Sequence, residues 1–162
     1  SLELASFVLA LCIIKKPKQI LDLGSGFSSW VTNYYKKSYA KKALVISIDD
    51  DKRWLDKTRR YLQEVGVMHP RLMLWEEFDK KNKLKFDLVL HDLGNMQKRL
   101  STLPRVITLI NQSGLIILDD MHMPVYKKGV IDFIKGKSVK HYSLEKISKD
   151  NFSRFSMIIT NK

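Results

Sequence analysis

An apolar run that ends in Asp22-Leu23-Gly24-Ser25-Gly26 and passes at once into Phe27-Ser28-Ser29 leaves the chain few conformations around residue 25. Ile20 to Leu23 read as a strand. Gly24 and Gly26 lack a Cβ, so the backbone there can turn sharply and come close to a ligand, and Ser28 and Ser29 are residues that open a helix. The loop suits a nucleotide-like ligand, or else is a strand-to-helix turn that needs glycines for its own geometry. Two familiar phosphate loops do not match. The dinucleotide pattern Gly-x-Gly-x-x-Gly has Ser29 in place of its third glycine, and no Gly-Lys-Ser/Thr closes the segment as a P-loop requires. Asp22, two residues before the first glycine, would repel a phosphate and suits a ligand with a positive charge.

Apolar runs alternate with helical periodicity along the rest of the chain, the pattern of a parallel sheet covered on both faces. Strands are expected at 19–23, 43–48, 72–75, 86–91 and 114–118, with helices at 28–37, 52–65, 96–111 and 125–135. After the last helix the pattern changes. Residues 140–144 and 155–159 are two extended stretches with no helix between them, separated by the turn-like Ser148-Lys149-Asp150-Asn151.

At 162 residues the chain is expected to form one domain, with an amphipathic helix at 1–16 in front of a core at 19–160. That N-terminal apolar run is too short to span a bilayer and carries Glu3. Ser1 is not a start residue, so the natural protein can extend further. The lone Cys12 excludes a disulfide framework and reads as a core thiol, which suits a cytoplasmic protein. The formal net charge of +12 comes largely from short lysine pairs such as Lys36-Lys37 and Lys127-Lys128. These are the marks of solvated helix ends, or of an anionic partner such as nucleic acid.

In a doubly wound sheet a ligand lies over the carboxyl ends of the strands. Here those ends are Asp22, Asp49-Asp50, Trp75-Glu76-Glu77, His91-Asp92 and Asp119-Asp120, nearly all acidic. Asp49 follows the last apolar residue of the second strand and can accept two hydrogen bonds from ribose hydroxyls. Asp50 shares that position or, with Asp51, caps the next helix.

Asp-x-Gly-x-Gly at Asp22-Gly26, with five βα units and two closing strands, resembles the class I S-adenosylmethionine (SAM) dependent methyltransferases. The resemblance spans about residues 19–160. It implies an α/β fold: a doubly wound, mostly parallel seven-stranded Rossmann-like sheet with an antiparallel last strand. It also implies SAM bound by Asp22, Gly24, Ser25, Gly26, Asp49 or Asp50, His91, and Glu76 or Glu77 with Trp75 or Phe78 on the adenine. The acids after strands four and five resemble those of metal-dependent O-methyltransferases of the catechol type and their sugar- and antibiotic-modifying relatives. On that resemblance Asp92 and Asp120 would bind Mg2+, with Asp119 a third ligand or a group bonded behind them; Asp119-Asp120 also reads as an Asx-type turn with no metal. His122 or His91, as a neutral imidazole, or Asp92 would serve as base. Two positions depart from it: Met121 stands where the catechol type has an Asn ligand, and Asn95 where the relatives have a His. Met121, Met123, Pro124 and Tyr126 are then expected around an apolar acceptor pocket. The expected acceptor is a hydroxylated small molecule or glycan. RNA read through the basic surface, or a catalytically silent SAM-fold module, are the alternatives, and a homo-oligomer is compatible with each.

Overall fold

The computed structural model describes residues 1–161. Helix α1 (Leu2–Lys15) precedes β1 (Gln19–Leu23), α2 (Phe27–Ser38), β2 (Leu44–Asp49), α3 (Lys52–Glu64), β3 (Leu72–Leu74) and α4 (Trp75–Lys81). The second half runs β4 (Phe86–His91), α5 (Met96–Ile107), β5 (Ile110–Leu118), α6 (Pro124–Ile134), β6 (Val139–Ser143), α7 (Glu145–Ser148) and β7 (Met157–Asn161). The strands form one sheet in the order β3-β2-β1-β4-β5-β7-β6. Only β7 opposes its neighbours: it pairs antiparallel with both β5 and β6, while the remaining pairs are parallel. This is the expected doubly wound seven-stranded α/β sheet with an antiparallel last strand.

Strand alternation divides the core in two. Ile20, Val45, Leu88, Leu90 and Ile117 meet Val8 and Cys12 of α1 and Val31 and Tyr35 of α2. On the opposite face Leu21, Leu23, Val89, Ile116 and Leu118 meet Trp75 and Phe78 of α4, Leu103 and Val106 of α5 and Tyr126 and Val130 of α6. Burial pushes the Cys12 thiol up to about 12, so it packs as a small apolar group. Among the described residues no helix is long and apolar enough to cross a membrane.

Four local expectations are corrected. The third strand stops at Leu74, because Trp75 and Phe78 lie one helical turn apart and bury together on the core as α4. The fifth strand starts at Ile110, four residues early, and the preceding helix ends at Ile107. Ile110 pairs with Phe86 ahead of a register shift, and a Cβ on Gly114 would lie 2.6 Å from the Phe86 carbonyl oxygen, so glycine lets the strand continue through the irregularity. Between the last two strands Glu145–Ser148 form one helical turn, secured where the Ser148 hydroxyl accepts from the Ser156 amide at 3.0 Å. Finally, α1 is apolar nearly all round rather than amphipathic, with Leu2, Ile13 and Ile14 exposed.

Candidate functional site

The strand order reverses between β1 and β4, and there the carboxyl ends are laced together. Gly24 donates its amide to Ile48, Asp92 to Leu23 and Asp119 to His91, at 2.9, 2.7 and 3.3 Å. Over this edge lies a cleft of about 240 Å³, bounded by the β1–α2 loop, the tips of β4 and β5, and Leu4 and Val8 of α1.

Asp22 is fully buried in the cleft wall. One carboxylate oxygen accepts the Ser29 hydroxyl at 2.5 Å, whereas the other has no partner. Burial raises its pKa to about 6 against the opposing hydrogen bond of Ser29. A buried unpartnered carboxylate oxygen costs desolvation energy that an ammonium group from a ligand would return. Gly24 is required beside it: φ is +97°, and a Cβ would lie 2.3 Å from the Asp92 carbonyl oxygen.

Asp49 is buried and committed to the loop. Its Oδ2 accepts the amide and hydroxyl of Ser25 at 2.8 and 2.9 Å, and its Oδ1 the amide of Asp51 at 3.1 Å. Burial raises its pKa, with those bonds opposing. Asp51 caps α3 through the Arg53 amide at 2.7 Å, which leaves Asp50 as the exposed acid at the β2 tip, packed against Gly94. Trp54, which the sequence reading passed over, donates its indole N–H to the Ser25 carbonyl at 2.5 Å and lines the cleft.

Trp75 and Phe78, expected against an adenine, are instead core residues, their ring centroids 6.0 Å apart. Glu76 and Glu77 are exposed in the first turn of α4. The half-exposed Phe27 is the other aromatic ring on the cleft wall beside Trp54.

At the β4 and β5 tips, buried His91 shares a hydrogen bond of 3.0 Å between its Nε2 and the Thr102 hydroxyl. Burial, and then the charge of Arg99, hold its pKa down to about 3, so the ring is neutral. Arg99 joins the two acids that follow. Its guanidinium contacts the Asp92 carboxylate, donates to Asp120 at 2.9 Å and to the Gly94 carbonyl at 3.2 Å, and is almost wholly buried. Burial pushes Asp92 up to about 7; Arg99 opposes this, while Asp119, Asp120 and Asp22 add to it. Asp119 accepts the Ser156 hydroxyl and the Asp120 amide, both at 2.8 Å, which ties the β5 tip to the start of β7. Asp120 itself takes a left-handed φ of 56°.

This donor set does not fit a divalent metal. Two of the three carboxylates already hold a guanidinium, and among the described residues no three His, Cys, Asp or Glu side chains are grouped to take a metal ion. His122 places its Nδ1 3.6 Å from Asp120 and stands outside the cleft wall. The expected acceptor pocket is not formed as read: Met121 and Tyr126 are buried in the core and Met123 is exposed. A signal for Arg99 existed in the sequence. It shares the buried stripe of α5 with Leu103 and Val106, an unusual place for a guanidinium without partners.

No protein-family model and no curated protein matches the chain. Solved structures do. An SAH-bound methyltransferase of Podospora anserina, 17% identical, aligns with a TM-score of 0.78 over 98% of this chain and 78% of its own. An O-methyltransferase of Bacillus cereus in complex with SAH, 13% identical, gives 0.77 over 98% and 80%. A structure described as a putative rRNA methylase of Clostridium thermocellum, 16% identical, gives 0.67 over 89% and 86%. The chain has the Rossmann-like fold of these methyltransferases.

Proposed function

We propose that the chain is a SAM-dependent methyltransferase acting on a hydroxyl group of a small molecule or glycan. The observation that carries this reading is the buried, unpartnered oxygen of Asp22 beside the Gly24 turn. It is an anionic acceptor in a cleft wall, matched to the ammonium of SAM, while the Gly24 to Gly26 backbone leaves room for the rest of the ligand. Asp50 is the acid free for ribose hydroxyls, since both oxygens of Asp49 are engaged. SAM, when bound, supplies an electrophilic methyl group on a sulfonium.

The chain's own part is to position an acceptor and take its proton. Asp92 lines the cleft, and at a pKa of about 7 it accepts a hydroxyl proton close to neutral pH. His91, neutral and bonded to Thr102, seals the floor without carrying charge. The O-methyltransferases among the structural neighbours support a hydroxyl acceptor. The rRNA methylases, together with the +12 charge, support RNA as the second reading.

Calorimetric titration with SAM and SAH tests the core of the proposal. Saturable binding that Asp22→Asn weakens about tenfold or more, as loss of a charge-assisted contact predicts, supports it; no binding to the intact protein overturns it. Asp92→Asn is expected to keep SAM binding and lose methyl transfer to a hydroxylated acceptor. Steep loss of transfer with added salt selects RNA, and salt-independent transfer selects the small acceptor.

A further inference from the structure

We infer that Arg99 is a resident cation filling the place between Asp92 and Asp120 where the resemblance had put Mg2+, so that this half of the site works without a divalent metal. Three observations converge. The guanidinium fork spans two loops, reaching Asp92 and the Gly94 carbonyl after β4 and Asp120 after β5. A planar fork can serve three acceptors in this way, whereas Mg2+ demands octahedral oxygen ligands much closer to itself. The side chain is 7% exposed, so the cation belongs to the interior and is not a surface arm that swings aside. And Arg99 lies in the first turn of α5, where the helix dipole disfavours positive charge; the two carboxylates hold it there against that field.

The remaining acids are consistent with this. Asp119 is bonded to Ser156 and to the Asp120 amide, away from the fork. His122 lies 3.6 Å from Asp120 and does not line the cleft. Arg99 is therefore a positioning residue: it fixes the carboxylate of Asp92 against the cleft and neutralises Asp120. This deepens the proposed reading at its acceptor side, where a metal would otherwise activate a hydroxyl directly. Proton removal then falls to Asp92 alone.

The test reads metal binding and not turnover, so its failure is separate from failure of SAM to bind. Mn2+ is titrated into the intact protein and followed by loss of its free paramagnetic resonance signal. Intact protein is expected to retain no Mn2+ at millimolar concentration, a range weak carboxylate sites reach. Arg99→Ala, which strips the guanidinium from the carboxylates of Asp92 and Asp120, is expected to retain one equivalent, and the further change Asp120→Asn to abolish it. Arg99→Lys keeps a cation and is expected to exclude Mn2+ like the intact protein. Should Arg99→Ala not fold, the intact protein and Arg99→Lys still decide. Mn2+ held by the intact protein and released by Asp120→Asn overturns the inference, as does a folded Arg99→Ala protein that takes up none.

Discussion

At the β1 and β2 tips, Asp22 and Asp49 are held by neutral donors, the hydroxyls and amides of the loop they support; at the β4 and β5 tips, Asp92 and Asp120 share one guanidinium. The two halves of the edge carry the same residue type and are laced to each other through backbone hydrogen bonds. Neutral donors leave Asp22 with a bare buried oxygen, which on the proposed reading a cation from outside meets. The other half has its cation already. On the proposed reading, identical side chains at strand ends become a ligand site in one place and an ion cluster in the other, according to what the neighbouring loop supplies.

The most severe way to break this contrast is at the residue that joins the halves. Gly24→Ala would drive a Cβ into the Asp92 backbone and demand a φ of +97° from an L residue. Strain and overpacking together are expected to cost about 3 kcal/mol or more, read as a lowered midpoint in urea unfolding. SAM binding is lost with it. A variant of unchanged stability would mean that the two loops do not press on each other as described.

Two buried groups on this edge, Asp22 and His91, titrate in opposite directions. Asp22, at about 6 in the folded chain, lies above its unfolded value, so its contribution to stability is full below about pH 4 and is lost as pH rises through 6. His91, at about 3, lies below its unfolded value of roughly 6.5; its contribution is full above that pH and is lost as pH falls toward 3. Over the interval between them the two trends offset. His91→Gln keeps a polar partner for Thr102 and removes one trend. The stability advantage of the parent over this variant is expected to shrink by about 1.4 kcal/mol per pH unit below pH 6.5, measured by urea unfolding at several pH values. A constant difference would show that His91 takes up a proton while folded.

How much of this was legible depended on the range of the interactions. The first and fourth strands are legible to their ends, 19–23 and 86–91, because short, mostly apolar runs flanked by lysines before and a polar loop after need no tertiary information. The Asp22-Gly24 loop was legible for the same reason: ligand approach and turn geometry are both local. Helix α4 was not, since seven residues with two aromatics give too short a period to separate a strand end from a helix start. Arg99 lay further out of reach. Its meaning depends on Asp120, 21 residues away in the loop after β5, and the acidic pair there reads equally well as a metal site until that partner is in place. Trp54 was hidden likewise, its indole bonded to a carbonyl 29 residues away.

The finest cut concerns which acid at the β2 tip meets the ligand. Position relative to the last apolar residue favours Asp49, and so does the family resemblance. Its oxygens, however, already accept three hydrogen bonds from Ser25 and Asp51, and it sits buried behind the loop. On the proposed reading a carboxylate so occupied acts on the ligand through Ser25, by holding the glycine turn in shape, whereas the exposed Asp50 is free to accept from two hydroxyls. Asp50→Ala is therefore expected to weaken SAM about tenfold, near 1.4 kcal/mol, the scale of a charge-assisted pair, with the unfolding midpoint unchanged. Asp49→Ala is expected to lower both affinity and stability, because the Ser25 amide loses its acceptor inside the protein. Calorimetry and urea unfolding on the two variants separate the roles: if Asp50→Ala binds SAM like the parent while Asp49→Ala loses affinity at full stability, the ribose contact returns to Asp49.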